Sequence, residues 1–189
     1  MASREFQLGV PQPLDIQHVA KCISLHQVGL FMIGKQEIGN ICHGHRCMLA
    51  LPSTRGYHSL RRLRRSCLRT VNLTHCSYLV FFIPEEYVTD VFEIQHPESC
   101  PYCAPLSIKR HLRKTWSHIG LHGKAQVVIV SKNSNPILHS LLLEVHKLVG
   151  LPVLLGDNLK TKSANLANSV DDVVSALDSR HPLISWVVF

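Results

Sequence analysis

Long apolar runs are missing from this 189-residue chain. The longest stretches reach about six to eight residues, where a membrane-spanning helix needs roughly 20. Acidic residues are scarce, 13 Asp+Glu against 20 Lys+Arg, which leaves a net charge of +7. Aromatic residues make up only 6% of the chain, and none interleaves with its densest arginine run as a stacking platform for bases would. Charged residues are few as well, 17% against 46% hydrophobic, and that balance excludes general disorder. The cysteine count, seven, is odd. The first residues, Met1-Ala2-Ser3-Arg4-Glu5, lack the apolar segment of a signal peptide. Together these point to reduced thiols and an intracellular protein. The length suits one domain with a full core.

What is present is a series of short apolar blocks with sharp boundaries. Residues 1–26 carry Pro11 and Pro13 and read as a loosely attached lead-in. Val28–Ile33, ended by Gly34, has the length of a buried strand. Residues 46–51 give a second strand stopped by Pro52, and a basic linker follows. Tyr78–Ile83, aromatic and β-branched, is a strand closed by Pro84. Prolines at 97, 101 and 105 exclude regular structure over 95–106. Beyond them, Ser107 caps a predicted helix to Ile119 with Ile108, Leu112, Trp116 and Ile119 on one side. Gln126–Val130 is a strand. Asn135 and Pro136 open a helix whose Leu138, Leu141, Leu142 and Val145 recur at helical spacing until Gly150. Pro152–Leu155 is a strand, and Ser169 opens a last helix through Val170, Val173, Val174 and Leu177. Apolar strands alternating with amphipathic helices predict a single α/β domain over 27–178, a mainly parallel sheet with helices on both faces.

A phosphate-binding loop needs G-x-x-x-x-G-K-[ST] between a strand and a helix, where the lysine neutralises phosphate and the hydroxyl holds Mg²⁺. After the first strand this chain reads Gly34-Lys35-Gln36-Glu37-Ile38-Gly39-Asn40-Ile41: both glycines are in place, but Asn40 stands for the lysine and Ile41 for the hydroxyl. The order of elements downstream resembles the Ras-like small GTPases. Ser131-Lys132-Asn133-Ser134-Asn135 stands where that family reads guanine with G-N-K-x-D, and Gly156-Asp157-Asn158 replaces its S-A-K loop. The base-pairing carboxylate is absent, and no D-x-x-G occurs in the roughly 44 residues between Gly34 and Tyr78. The resemblance therefore implies a degenerate, pseudo-GTPase domain with no catalytic residues. It implies a scaffold for a larger protein subunit of a complex, as in the inner kinetochore, and hence a nuclear, centromeric location without a membrane.

Three further features compete for attention. Arg55, Arg61, Arg62, Arg64, Arg65 and Arg69 crowd residues 55–69 and suit an acidic protein partner or, as a rival expectation, a nucleic-acid backbone. Cys100, Cys103, His118 and His122 form C-x₂-C-x₁₄-H-x₃-H, a spacing that could hold zinc and, with the basic segment, define a zinc-stabilised nucleic-acid binder. A second Cys/His cluster, Cys42, His43, His45 and Cys47, offers metal-ligand chemistry in a packed region. The C-terminal tail 179–189 ends Trp186-Val187-Val188-Phe189. It is too apolar to stand in water, so it adds to the sheet, packs on the last helix or inserts into a partner. Arg61, Arg62, Arg64 and Arg65, with Trp186 and Phe189, are the expected partner-binding residues.

Overall fold

Most of the apolar blocks become strands and the amphipathic segments helices, with reassignments at residues 16–24, 54–67, 104–113 and 156–158. The computed structural model describes residues 13–39, 41–67, 79–94, 104–116, 123–160, 166–177 and 184–188. Helix α1 (Ile16–Ser24) precedes β1 (Val28–Met32) and β2 (Arg46–Ala50). Helix α2 (Thr54–Cys67) leads to β3 (Val80–Pro84), a 3-10 turn and the short α3 (Val88–Val91). Then come β4 (Phe92–Glu93), β5 (Ala104–Ile108), α4 (Arg110–Arg113), β6 (Lys124–Val130), α5 (Pro136–Val149), β7 (Leu154–Asn158), α6 (Val170–Leu177) and β8 (Ile184–Val188).

The eight described strands form one sheet in the order β4-β5-β6-β3-β7-β2-β1-β8. It is a mixed sheet, which corrects the mainly parallel expectation: among the described strands only β1–β8 and β3–β6 pair in parallel. β7 lies between β3 and β2 and runs antiparallel to both. A strand buried on both faces reads as a continuous apolar run whichever way it points, so composition carried no information on direction. Helices do cover both faces. Leu60 and Leu63 of α2 and Val173 of α6 join one core layer with Leu30, Met48, Phe81 and Leu155. Val19 and Ile23 of α1 and Leu138, Leu141, Leu142 and Val145 of α5 join the other with Phe31, Leu49 and Phe82.

Local chemistry explains the element ends. Asp15 caps α1 by accepting the His18 N–H at 2.9 Å, so residues 16–24 are a docked helix and not a loose lead-in. Asn135 caps α5, Pro136 stands at its start and Gly150 closes it in the left-handed region. At α6, Ser169 Oγ accepts the Asp172 N–H at 3.1 Å while Asp172 Oδ2 accepts the Ser169 N–H at 3.0 Å, a reciprocal capping box.

Over 107–116 the helix expected to reach Ile119 is replaced by β5 and the single turn of α4, and 117–119 lie outside the described residues. Leu106 and Ile108 alternate inward at strand period, and that pairing takes Ile108 out of the helical stripe it was expected to share with Leu112, Trp116 and Ile119. The prolines do not exclude regular structure at 104–106 as expected, since Ala104, Pro105 and Leu106 pair with Val127, Gln126 and Ala125 of β6; residues 95–103 lie outside the described residues. Gly156-Asp157-Asn158, read as a loop, belongs to β7, and the Phe82 ring occupies the space a Cβ on Gly156 would need, 2.2 Å away. The C-terminal tail enters the sheet as β8 beside β1. No described helix is long and apolar enough to cross a membrane.

Candidate functional site

Two features dominate one end and one face of the sheet: the loop joining β1 to β2, and helix α2. The loop carries the glycines of the degenerate phosphate motif. It returns directly into β2, antiparallel to β1, so no helix N-terminus follows Gly39 and Ile41 as a phosphate loop requires; Asn40 lies outside the described residues.

The interior of the loop is organised by Glu37, a residue the sequence did not single out. Its side chain is buried, and Oε1 accepts the backbone N–H groups of His43 (3.1 Å), His45 (2.5 Å) and Arg46 (3.2 Å). Three converging amides make a nest for an anion. Gly44 makes this turn possible: its φ is +89°, and a Cβ there would meet Leu138 Cδ2 at 2.4 Å. Arg46 clamps the loop further, with Nη1 donating to the His45 carbonyl (3.0 Å) and Nη2 to the Gly34 carbonyl (3.0 Å). The His45 ring lies with Nδ1 3.1 Å from the Ile33 carbonyl.

Asn135, expected in the base-reading position, is occupied structurally. Its Oδ1 accepts the Leu138 N–H at 3.1 Å and its Nδ2 donates to the Gly44 carbonyl at 2.9 Å. The Asn therefore ties α5 to the same loop.

Cys42 and Cys47 are fully buried beside the nest. Burial pushes both thiols above their ordinary range; the hydrogen bond Cys42 donates to Cys47 raises Cys42 further, and the Glu37 carboxylate adds to both. Such thiols are protonated and poorly nucleophilic at neutral pH. Among the described residues, no group of three or more His, Cys, Asp and Glu side chains comes together in a way that could hold a metal ion. Cys100, Cys103, His118 and His122 lie outside the described residues.

The basic segment forms helix α2 through Cys67, where a linker was expected, and Arg69 lies outside the described residues. Ser53 starts it, accepting the Gly56 N–H on Oγ at 3.1 Å, and its carbonyl accepts the Tyr57 N–H at 2.9 Å. Leu60 and Leu63 face the sheet, whereas Arg55, His58, Arg61 and Arg62 are exposed. Arg61 folds back on its own helix, donating to the Tyr57 hydroxyl at 2.8 Å with its guanidinium 5.4 Å from the ring centroid.

Arg64 departs from the surface set proposed from sequence. Its Nη1 lies 3.6 Å from Asp157 Oδ2, with side-chain exposures of 16% and 1%. Asp157 belongs to β7 on the α2 side of the sheet, so this arginine holds helix to sheet. The side chain of Arg65 and the whole of Phe189 lie outside the described residues. Trp186 is buried, its ring filling the space above Gly29 within 2.0 Å of where a Cβ would stand. It is a core residue of the β1–β8 pair, only 8% exposed.

Glu37 and Asp157 left one faint mark each in the sequence: a carboxylate between two glycines, and a carboxylate directly after an apolar run. The sequence matches no protein-family model and no curated protein.

Proposed function

We propose that this chain is a non-catalytic scaffold domain that docks an acidic protein surface through helix α2. The observation that carries the reading is the composition and placement of that helix. Its 14 residues contain no acidic side chain, and Arg55, His58, Arg61 and Arg62 all reach solvent. Charge of one sign along one helix face favours association with a surface of opposite sign. The absence of nucleotide chemistry is supported by the loop's direct return into β2, with no helix among the described residues after Gly39 and Ile41, and by Asn135, whose amide is committed to capping and to the Gly44 carbonyl.

A nucleic-acid partner is the weaker alternative. The aromatic side chain on α2, Tyr57, is half-buried and engaged by Arg61, which leaves no free stacking platform there. The resemblance to degenerate small GTPases, and through it to centromere protein M of the inner kinetochore, supplies the most specific partner, a helical-repeat subunit. The antiparallel placement of β2 and β7 at the centre of the sheet counts against that lineage, and the scaffold reading does not depend on it.

The test is reversal of Arg55, Arg61 and Arg62 to Glu, with Arg64 left intact. The melting temperature should stay within a few degrees of the parent, and the proteins recovered from a nuclease-treated lysate by the parent should be lost. Recovery unchanged by the reversal, or recovery that vanishes on nuclease treatment of the parent, would overturn the acidic-protein assignment.

A further inference from the structure

The β1–β2 loop is held in an unusual way. Among its described residues from 34 to 41, Glu37 alone is buried, while Lys35, Gln36, Ile38 and Gly39 are exposed, Ile38 to 88%. An exposed excursion of chain is thus pinned by one carboxylate in a cradle of three amides. The cradle belongs to residues 43–46, which continue into β2 and are fixed by Asn135 and Arg46. Nest and occupant are therefore separable: the first leads into β2 at Arg46 and the second sits on the exposed part of the same loop.

Two buried atoms of the residues involved, one on Glu37 and one on Arg46, lack hydrogen-bond partners. Glu37 Oε2 has no hydrogen-bond partner although it is buried. Arg46, which lends its backbone N–H to the cradle, keeps a buried Nε–H without an acceptor. Buried donors and acceptors are ordinarily satisfied, so the two atoms are exceptions in the residues that form the plug and its cradle.

We propose that the His43, His45 and Arg46 amides form an oxyanion-binding site, and that Glu37 is its resident, displaceable plug. A free oxyanion, phosphate or carboxylate, takes the position of Glu37 Oε1 and releases the 34–41 segment with its exposed Ile38. No bond is made or broken; one anion replaces another, and the Glu37 carboxylate returns to solvent. The inference stands apart from the docking role of α2.

The experiment uses the full chain, with the parent compared to Glu37→Ala and Glu37→Gln. Amide ¹H–¹⁵N resonances are followed while inorganic phosphate or acetate is added at constant ionic strength, with chloride as the reference. Removing the tethered carboxylate removes a competitor whose effective concentration is in the millimolar range. Anion binding by Glu37→Ala should therefore be roughly tenfold or more tighter than by the parent. Saturable shifts at His43, His45 and Arg46 are the expected signature, and whichever of phosphate or acetate gives the tighter curve names the source. No saturable shift at those amides with either anion, or equal affinity in parent and Glu37→Ala, overturns the proposal. Should both variants fail to fold, hydrogen exchange of the parent decides. Phosphate or acetate must speed exchange across residues 34–41 relative to chloride, and unchanged exchange refutes a displaceable plug.

Discussion

Replacing Arg64 by leucine tests the claim that one arginine of the basic helix works inward. The pair is separated by 3.6 Å, and the Asp157 side chain is only 1% exposed. With an effective dielectric near 20, Coulomb attraction at that distance is about 4–5 kcal/mol, before desolvation is subtracted. Leucine keeps much of the aliphatic bulk against the sheet and deletes the guanidinium, so the cost falls on Asp157. Its Oδ1 accepts the Asn158 N–H at 2.9 Å, which steadies the carboxylate without neutralising it. Breaking a buried pair from one side costs about 3–5 kcal/mol. Urea unfolding of Arg64→Leu should show a loss of that size, while Arg62→Leu on the exposed face should stay within about 0.5 kcal/mol of the parent. Adding Asp157→Asn to Arg64→Leu should recover part of the loss, with a coupling energy of about 2–3 kcal/mol. A loss below about 1 kcal/mol for Arg64→Leu, or strict additivity in the double variant, would show that Arg64 belongs to the surface after all.

Leu142 of α5 is completely buried between the helix and the sheet. Leu142→Ala should cost about 2–5 kcal/mol in thermal or urea unfolding, and a neutral result would place that face outside the core. Cys42 and Cys47, whose thiol pKa values burial raises, hold their protons more tightly folded than unfolded. Their linkage contribution is complete below the unfolded thiol value of about 8.5 and is lost as pH rises beyond it, because the unfolded state ionises first. Native protein at pH 8 should therefore alkylate slowly at both positions, and stability should decline as pH rises above about 8.5; rapid native labelling of either thiol would contradict the burial.

Much of the fold was legible because capping and period are local properties. The helix 136–149 is bounded by Asn135, Pro136 and Gly150, each of which acts through its own backbone geometry, and both its ends fall where the sequence put them. Strand existence was legible at Val28, Tyr78, Gln126 and Pro152 for the same reason, although each run shifted by a few residues at its ends. Strand direction was not, since it depends on which neighbours a strand meets. Nothing in Leu154-Leu155-Gly156-Asp157-Asn158 says that β3 and β2 flank it, both antiparallel.

The same boundary separates what was found in the site from what was missed. Arg55, Arg61 and Arg62 were recognisable as a charged face, because exposure follows from helical period once the helix is known. Arg64 could be assigned inward only with Asp157 in view, 93 positions along the chain. Glu37 is subtler. Between two glycines, a glutamate reads as a solvated loop residue, and here it is the most buried residue of its segment. Its partners are six to nine positions ahead, a local contact by sequence distance. Gly44 at positive φ turns those amides toward one point, and a motif search aimed at Gly34 and Gly39 looks at the wrong glycines. The anion nest of this loop was written in His43-Gly44-His45-Arg46, and the residue that fills it was written where a phosphate loop would have left space for its ligand.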